Sequence, residues 1–182
     1  MAGSPGVGKT ALARALGRNV GALVLDKDVI KSALLDAEVE WRAAGAAAHE
    51  VMFELADSLL AQCQSVVLDS PSHFAGIPQR GSAIAVVRGA QYRFIECVCD
   101  DLGEISRRLI GRERRRSQWG NLDVQAADGN SSAEQIGPHR WRTYGPDDGW
   151  LVLDTREPLE VSLITARRYV IGRGPASEPL AD

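Results

Sequence analysis

Eight residues near the amino end carry the most specific chemistry of the chain. Gly3-Ser4-Pro5-Gly6-Val7-Gly8-Lys9-Thr10 fits the pattern G-x-x-x-x-G-K-[ST] at every fixed position. Glycines in such a loop let successive backbone N–H groups curl around a phosphate with no Cβ in the way. A helix opening after Gly8 and running on through Ala11 adds its positive dipole end to the same phosphate. Lys9 has the reach for β- and γ-phosphates, and the Thr10 hydroxyl suits Mg²⁺. A glycine turn with an incidental lysine is the plainer alternative.

Further acidic and basic residues follow at strand ends. Leu25-Asp26-Lys27-Asp28-Val29-Ile30-Lys31 places Asp28 where a carboxylate can accept a proton from a hydroxyl, with Lys31 one helical turn on. Helix capping is the competing role for Asp28. Val66-Val67-Leu68-Asp69 is an apolar run closed by a carboxylate, and Asp69 is positioned to hold Mg²⁺ beside Thr10. Ser70, Ser72 and His73 follow at the rim, where a Ser- and Pro-rich turn accounts for them equally well. His49 and His139 carry no partner signal. Arg107 to Arg116 holds six arginines in ten residues. On one helix Arg108, Arg112 and Arg115 align beside an apolar stripe of Leu102, Ile105 and Leu109. Such arginines can close over a triphosphate; a solvated helix face and a nucleic-acid contact are the alternatives. Near the other end, Asp154-Thr155-Arg156 leaves a strand, where Thr155 and Arg156 could flank an adenine. Helix capping by Thr155 is the simple alternative.

These residues need elements to hold them. Short apolar runs at 22–25, 66–68, 92–98 and 150–153 read as strands. Helices are expected over 11–16, 29–37, 43–62, 81–89, 101–116 and 159–171. In the third of these, Val51, Met52, Leu55, Leu59 and Cys63 recur as one buried face. Strands alternating with helices predict a parallel sheet covered on both faces. One domain spans 1–171, with a lid around 101–149 and a tail over 172–182. Only Met1 and Ala2 precede Gly3, so the first strand of such a sheet is expected to be missing from this chain. The expectations are an unpaired groove between its neighbours and a natural start that lies upstream.

The 182 residues include 45% hydrophobic and 25% charged side chains, the mixture of a globular domain. A net charge of -3 excludes a general nucleic-acid coat protein. Eighteen of the twenty-one cations are Arg, so Lys9, Lys27 and Lys31 stand out. Three cysteines make no disulfide framework, and Cys97 and Cys99, two apart in an apolar stretch, read as core residues on one strand face. No apolar run reaches the roughly 20 residues of a membrane span, and the cytoplasm is the expected compartment.

Taken in order, GSPGVGKT, LDKDVIK, VVLDSP, RRLIGRERR and LVLDTREPLE resemble the small P-loop kinases of the AAA-domain-like, zeta-toxin-like and polynucleotide-kinase-like families. Asp28 and Lys31 match the D-x-x-[RK] of that group, Arg108 and Arg112 its R-x3-R, and Asp154 with Thr155 its D-[TS]. The resemblance implies a three-layer α/β P-loop fold with a helical lid. It implies ATP and Mg²⁺ as cofactors and transfer of the γ-phosphate to a hydroxyl on a small molecule or a nucleic-acid end. Lys9, Asp28, Arg108 and Arg112 are the expected catalytic set. Gly3 to Ala11, Thr155 and Arg156 are the expected nucleotide contacts, and Thr10 and Asp69 hold the metal. No N-K-x-D guanine signature is present. A nucleotide-binding regulator with weak ATPase activity, or an inactive remnant, are the other readings.

Overall fold

The computed structural model describes residues 1–118, 143–146 and 149–172. Four short strands, β1 (Leu23–Asp26), β2 (Val66–Asp69), β3 (Ile95–Val98) and β4 (Leu151–Asp154), alternate with helices. The helices are α1 (Lys9–Val20), α2 (Lys27–Asp36), α3 (Trp41–Ala61), α4 (Gly76–Val87), α5 (Leu102–Gly111) and α6 (Leu159–Ile171). β1 pairs β2 in parallel with Leu25 opposite Leu68 and Asp26 opposite Asp69. β3 pairs β4 in parallel with Cys97 opposite Leu153.

Met1 and Ala2 lie between these two ladders. Ala2 bridges to β3, its N–H donating to Ile95 C=O at 2.7 Å and its C=O accepting from Cys97 N–H at 2.9 Å. On the other side the Met1 amino group donates to Leu68 C=O at 2.9 Å, and Ser70 N–H donates to Met1 C=O. The spatial order is therefore β1, β2, residues 1–2, β3, β4. A cleft of about 590 Å³ opens beyond Met1, lined by Val66, Leu68, Met52, Ile84, Phe94 and Ile95 among others. Residues 1–2 tie its walls together at the end next to the glycine loop.

β1, β2 and β4 end in a carboxylate and Asp100 lies two residues beyond β3, at the edge where open parallel sheets bind ligands. The core joins Val7 of the loop to Leu12 and Leu16 of α1, Ile95 and Cys97 of β3, Ile105 and Leu109 of α5, and Leu151 and Leu153 of β4. Cys97 and Cys99 are both buried there, as their spacing predicts.

The readings of α3 and α5 need correction. The buried face of α3 is Ala44, Ala48, Met52, Phe53 and Ala56, while Val51 and Leu55 are exposed. Alanines at four-residue spacing let α3 pack closely on α2, and the larger side chains sit one position round. The arginine-rich helix stops at Gly111. Arg112 has extended backbone, φ -93 and ψ 148. After Leu109 no further apolar side chain falls on the buried stripe, Ile110 being exposed, so packing ends and the helix with it. Most of the expected excursion over 117–149, and the tail, lie outside the described residues.

Candidate functional site

The glycine loop turns between β3 and α1. Gly3 has φ +132 and Gly6 φ +83, a region that favours glycine. A Cβ on Gly3 would stand 2.3 Å from Cys97 C=O, and one on Gly6 2.8 Å from Ile105 Cγ2. The loop is thus pressed against β3 on one side and α5 on the other. Gly8 takes the N-cap position of α1 with no side-chain cap, and the first turn of α1 holds no acidic residue. The opening N–H groups of that helix stay available to an anion. Lys9 is buried, its ammonium 3.5 Å from Ser4 C=O, with no carboxylate in ion-pair distance among the described residues.

Thr155, at the end of β4, fixes the loop from above. Its hydroxyl lies 2.5 Å from Val7 C=O and 3.0 Å from Val98 C=O. Arg108 donates to the Thr155 hydroxyl at 3.3 Å and to Thr155 C=O at 2.6 Å, while Glu104 holds its Nε at 2.6 Å. Arg108 thereby stands over Gly8. Together these residues wall a cleft of about 900 Å³ that includes Thr10, Ala11, Arg112 and Arg114 to Arg116. Arg156 does not line it. Its guanidinium is bound to Asp154 and Asp100. Thr155 is a loop anchor.

Asp69 is 3% exposed, and neither of its oxygens makes a hydrogen bond of normal geometry. Burial pushes its carboxyl up, against the pull of the Lys9 ammonium and the Thr10 hydroxyl. A buried carboxylate next to a hydroxyl is a donor set that fits a hard divalent cation. Thr10 and Asp69 are neighbours at the end of β2.

Asp28 sits in the first turn of α2. It does not cap that helix; Asp26 does, accepting from Asp28 N–H at 2.9 Å. The Asp28 carboxylate has Lys27 Nζ at 2.9 Å from Oδ1 and Gln118 Nε2 at 3.4 Å from Oδ2. Burial alone would raise its pKa, but Lys27 and Lys9 outweigh that and hold it below the usual carboxylate range. Arg112 is half-buried; burial lowers its pKa while Asp28 works the other way. Arg108 and Arg112 both reach the cleft, from the helix and from the extended segment after it.

Further polar residues lie around α2, α3 and the end of β2. Lys31 is buried with its ammonium 3.3 Å above the Trp41 ring, and burial and Lys27 lower its pKa to about 8. His49 Nε2 meets Ser70 Oγ at 3.0 Å, a partnership between α3 and the end of β2. His73 is pushed down to about 3 by burial and by Lys27 and Lys9, and so is neutral.

A family model described as an AAA domain matches residues 1–130. The chain belongs to that family. Solved structures with the same fold include a protein described as a candidate kinase from Chloroflexus aurantiacus, 22% identical, covering 92% of this chain and 95% of that one with a TM-score of 0.71. A sugar kinase from Janibacter sp. is 16% identical over 93% of this chain and 91% of that one, TM-score 0.62. The APS kinase of Mycobacterium tuberculosis, solved with AMPPNP and APS, is 19% identical over 94% and 95%, TM-score 0.62. The P-loop kinase fold expected from the motifs is thus the fold of this chain. No curated protein matches it. Among the described residues no helix is long and apolar enough to cross a membrane.

Proposed function

We propose that this member of the AAA domain family is an ATP-dependent phosphotransferase that moves the γ-phosphate to a hydroxyl of an acceptor. The carrying observation is Asp28: a carboxylate kept ionised by Lys27 and Lys9, uncommitted to helix capping, in the first turn of the helix that follows β1. A slow nucleotide switch has no need of such a group.

In the proposed reaction the loop amides and Lys9 bind the β- and γ-phosphates, and Arg108 and Arg112 lie against their outer side. Asp28 accepts the proton of the acceptor hydroxyl as its oxygen bonds to the γ-phosphorus. The bond from that phosphorus to the bridging oxygen breaks, and its electron pair leaves on ADP. Thr10 and Asp69 would hold Mg²⁺, which neutralises phosphate charge when bound. Positioning and charge stabilisation carry most of such a reaction, so these fixed cations suit it. The work lies at the end of a sheet whose loops set the acceptor, a small molecule or a nucleic-acid end.

The test is a comparison of transfer and binding. Radiolabelled γ-phosphate from ATP is followed into a panel of hydroxyl compounds with wild type and Asp28→Asn. The proposal expects labelled product with wild type only, at least a hundredfold less with the variant by the usual weight of a general base, and unaltered nucleotide binding. Equal ATP turnover in both proteins, with no product, would favour the regulator reading.

A further inference from the structure

The segment leaving α5 is fastened to the helix that bears Asp28 at three successive residues. Arg116 Nη1 donates to Leu35 C=O at 2.6 Å near the end of α2. Ser117 donates its hydroxyl to the C=O of Asp28 itself at 3.0 Å. The Ser117 N–H donates to Ser32 Oγ at 3.2 Å, and the Ser32 hydroxyl donates back to Ser117 Oγ at 2.9 Å. Gln118 then reaches the Asp28 carboxylate with its amide, 3.4 Å from Oδ2. Ser32 and Ser117 are both more than nine-tenths buried, so their mutual hydrogen bonds replace lost water. Eighty-five residues separate them in sequence.

This clasp has a direction. Four residues upstream of Arg116, the same segment carries Arg112 into the nucleotide cleft, and one helical turn further back Arg108 stands over Gly8. The arginines that meet the phosphates and the amide that meets the carboxylate therefore lie on one continuous stretch of chain. Lys27 already occupies Oδ1, and a carboxylate has about four lone-pair sites. With Gln118 on Oδ2 each oxygen has one partner from this chain, and two lone-pair sites remain.

We propose that Ser117 and Gln118 are positioning residues for Asp28, and that through them the segment following α5 aligns the base when Arg108 and Arg112 engage the nucleotide. The proposal rests on Asp28 serving as the base. It adds Ser32, Ser117 and Gln118 to the residues that decide turnover.

Two variants test it beside Asp28→Asn: Gln118→Ala, at the rim, and Ser32→Ala, in the buried pair. Three readouts are used: the Asp28 carboxyl titration by carbon-13 NMR, Mg-ATP turnover with water as the acceptor, and the melting shift on Mg-AMPPNP. Gln118→Ala loses a hydrogen bond to the charged form, so the Asp28 titration moves up. Turnover falls roughly ten- to hundredfold, as a misplaced reacting group costs. KM for ATP and the melting shift stay as in wild type. Ser32→Ala lowers turnover likewise, and Ser32→Thr, which keeps the hydroxyl, restores it. Should Ser32→Ala fail to fold, Gln118→Ala alone decides. An unmoved Asp28 titration with wild-type turnover in Gln118→Ala overturns the clasp. If that happens while Asp28→Asn is inactive, the base reading stands; full turnover by Asp28→Asn removes both.

Discussion

Replacing Thr155 by valine probes how the phosphate loop is held. The side chains are nearly isosteric, so the change removes a hydroxyl and little else. That hydroxyl is 2.5 Å from Val7 C=O and receives Arg108 from the other side. Thr155 is 7% exposed, so water does not reach the vacated partners. A buried carbonyl stripped of its donor costs about 1–3 kcal/mol. At roughly 2–4 °C per kcal/mol for a domain of this size, the melting temperature falls by about 2–12 °C. The Val7–Gly8 peptide also loses its anchor, so the stabilisation by Mg-ATP shrinks. Thr155→Ser keeps the hydroxyl and both properties stay near wild type. Differential scanning fluorimetry with and without Mg-ATP reads both effects. A Thr155→Val protein that melts within about 1 °C of wild type and responds fully to nucleotide would refute the anchoring role.

Three further predictions follow from the same geometry. Gly6→Ala forces a left-handed residue, about 1–2 kcal/mol, and drives a Cβ to 2.8 Å from Ile105 Cγ2, so overpacking adds about 1–3 kcal/mol; calorimetry should show the combined loss. Asp69→Asn removes a carboxylate whose folded pKa is raised by burial, a group that costs stability as pH rises through that value. The nucleotide-free variant should melt higher than wild type at pH 7 yet lose most of its Mg-ATP shift, and a lower melting temperature would contradict this. His73, pushed down to about 3, binds its proton more readily unfolded than folded. Its contribution is present above the ordinary value near 6.5 and is lost as pH falls toward 3, so His73→Gln should flatten the acid limb of melting temperature against pH.

Much of the site was legible because its chemistry is local. Gly3 to Thr10 is a continuous motif, and Asp69 and Asp154 each close a four-residue apolar strand, so spacing alone places them. The end of α5 was harder to read. Arginines are good helix formers, and nothing local distinguishes Arg112 from Arg108; the break comes from the loss of a buried partner after Leu109. Asp26 and Asp28 compete for one cap, and backbone entry from β1 decides for Asp26. Tyr92 to Phe94 have strand-forming side chains but precede β3, which starts at Ile95 where Ala2 and Leu151 supply partners. The Ser32–Ser117 pair and the His49–Ser70 contact are long-range meetings of common polar residues, and no periodicity encodes them.

The phosphate loop is the foundation of the account, and Lys9 is its most exacting residue. Thermal unfolding of wild type and Lys9→Ala, each with and without Mg-ATP at about 100 times the wild-type dissociation constant, tests it most directly. Ligand at that level stabilises by about 2.7 kcal/mol, or roughly 5–11 °C here. The account predicts that shift in wild type and its loss in Lys9→Ala, with the ligand-free melts alike. A cooperative wild-type melt unmoved by Mg-ATP, or an equal shift in both proteins, would contradict it.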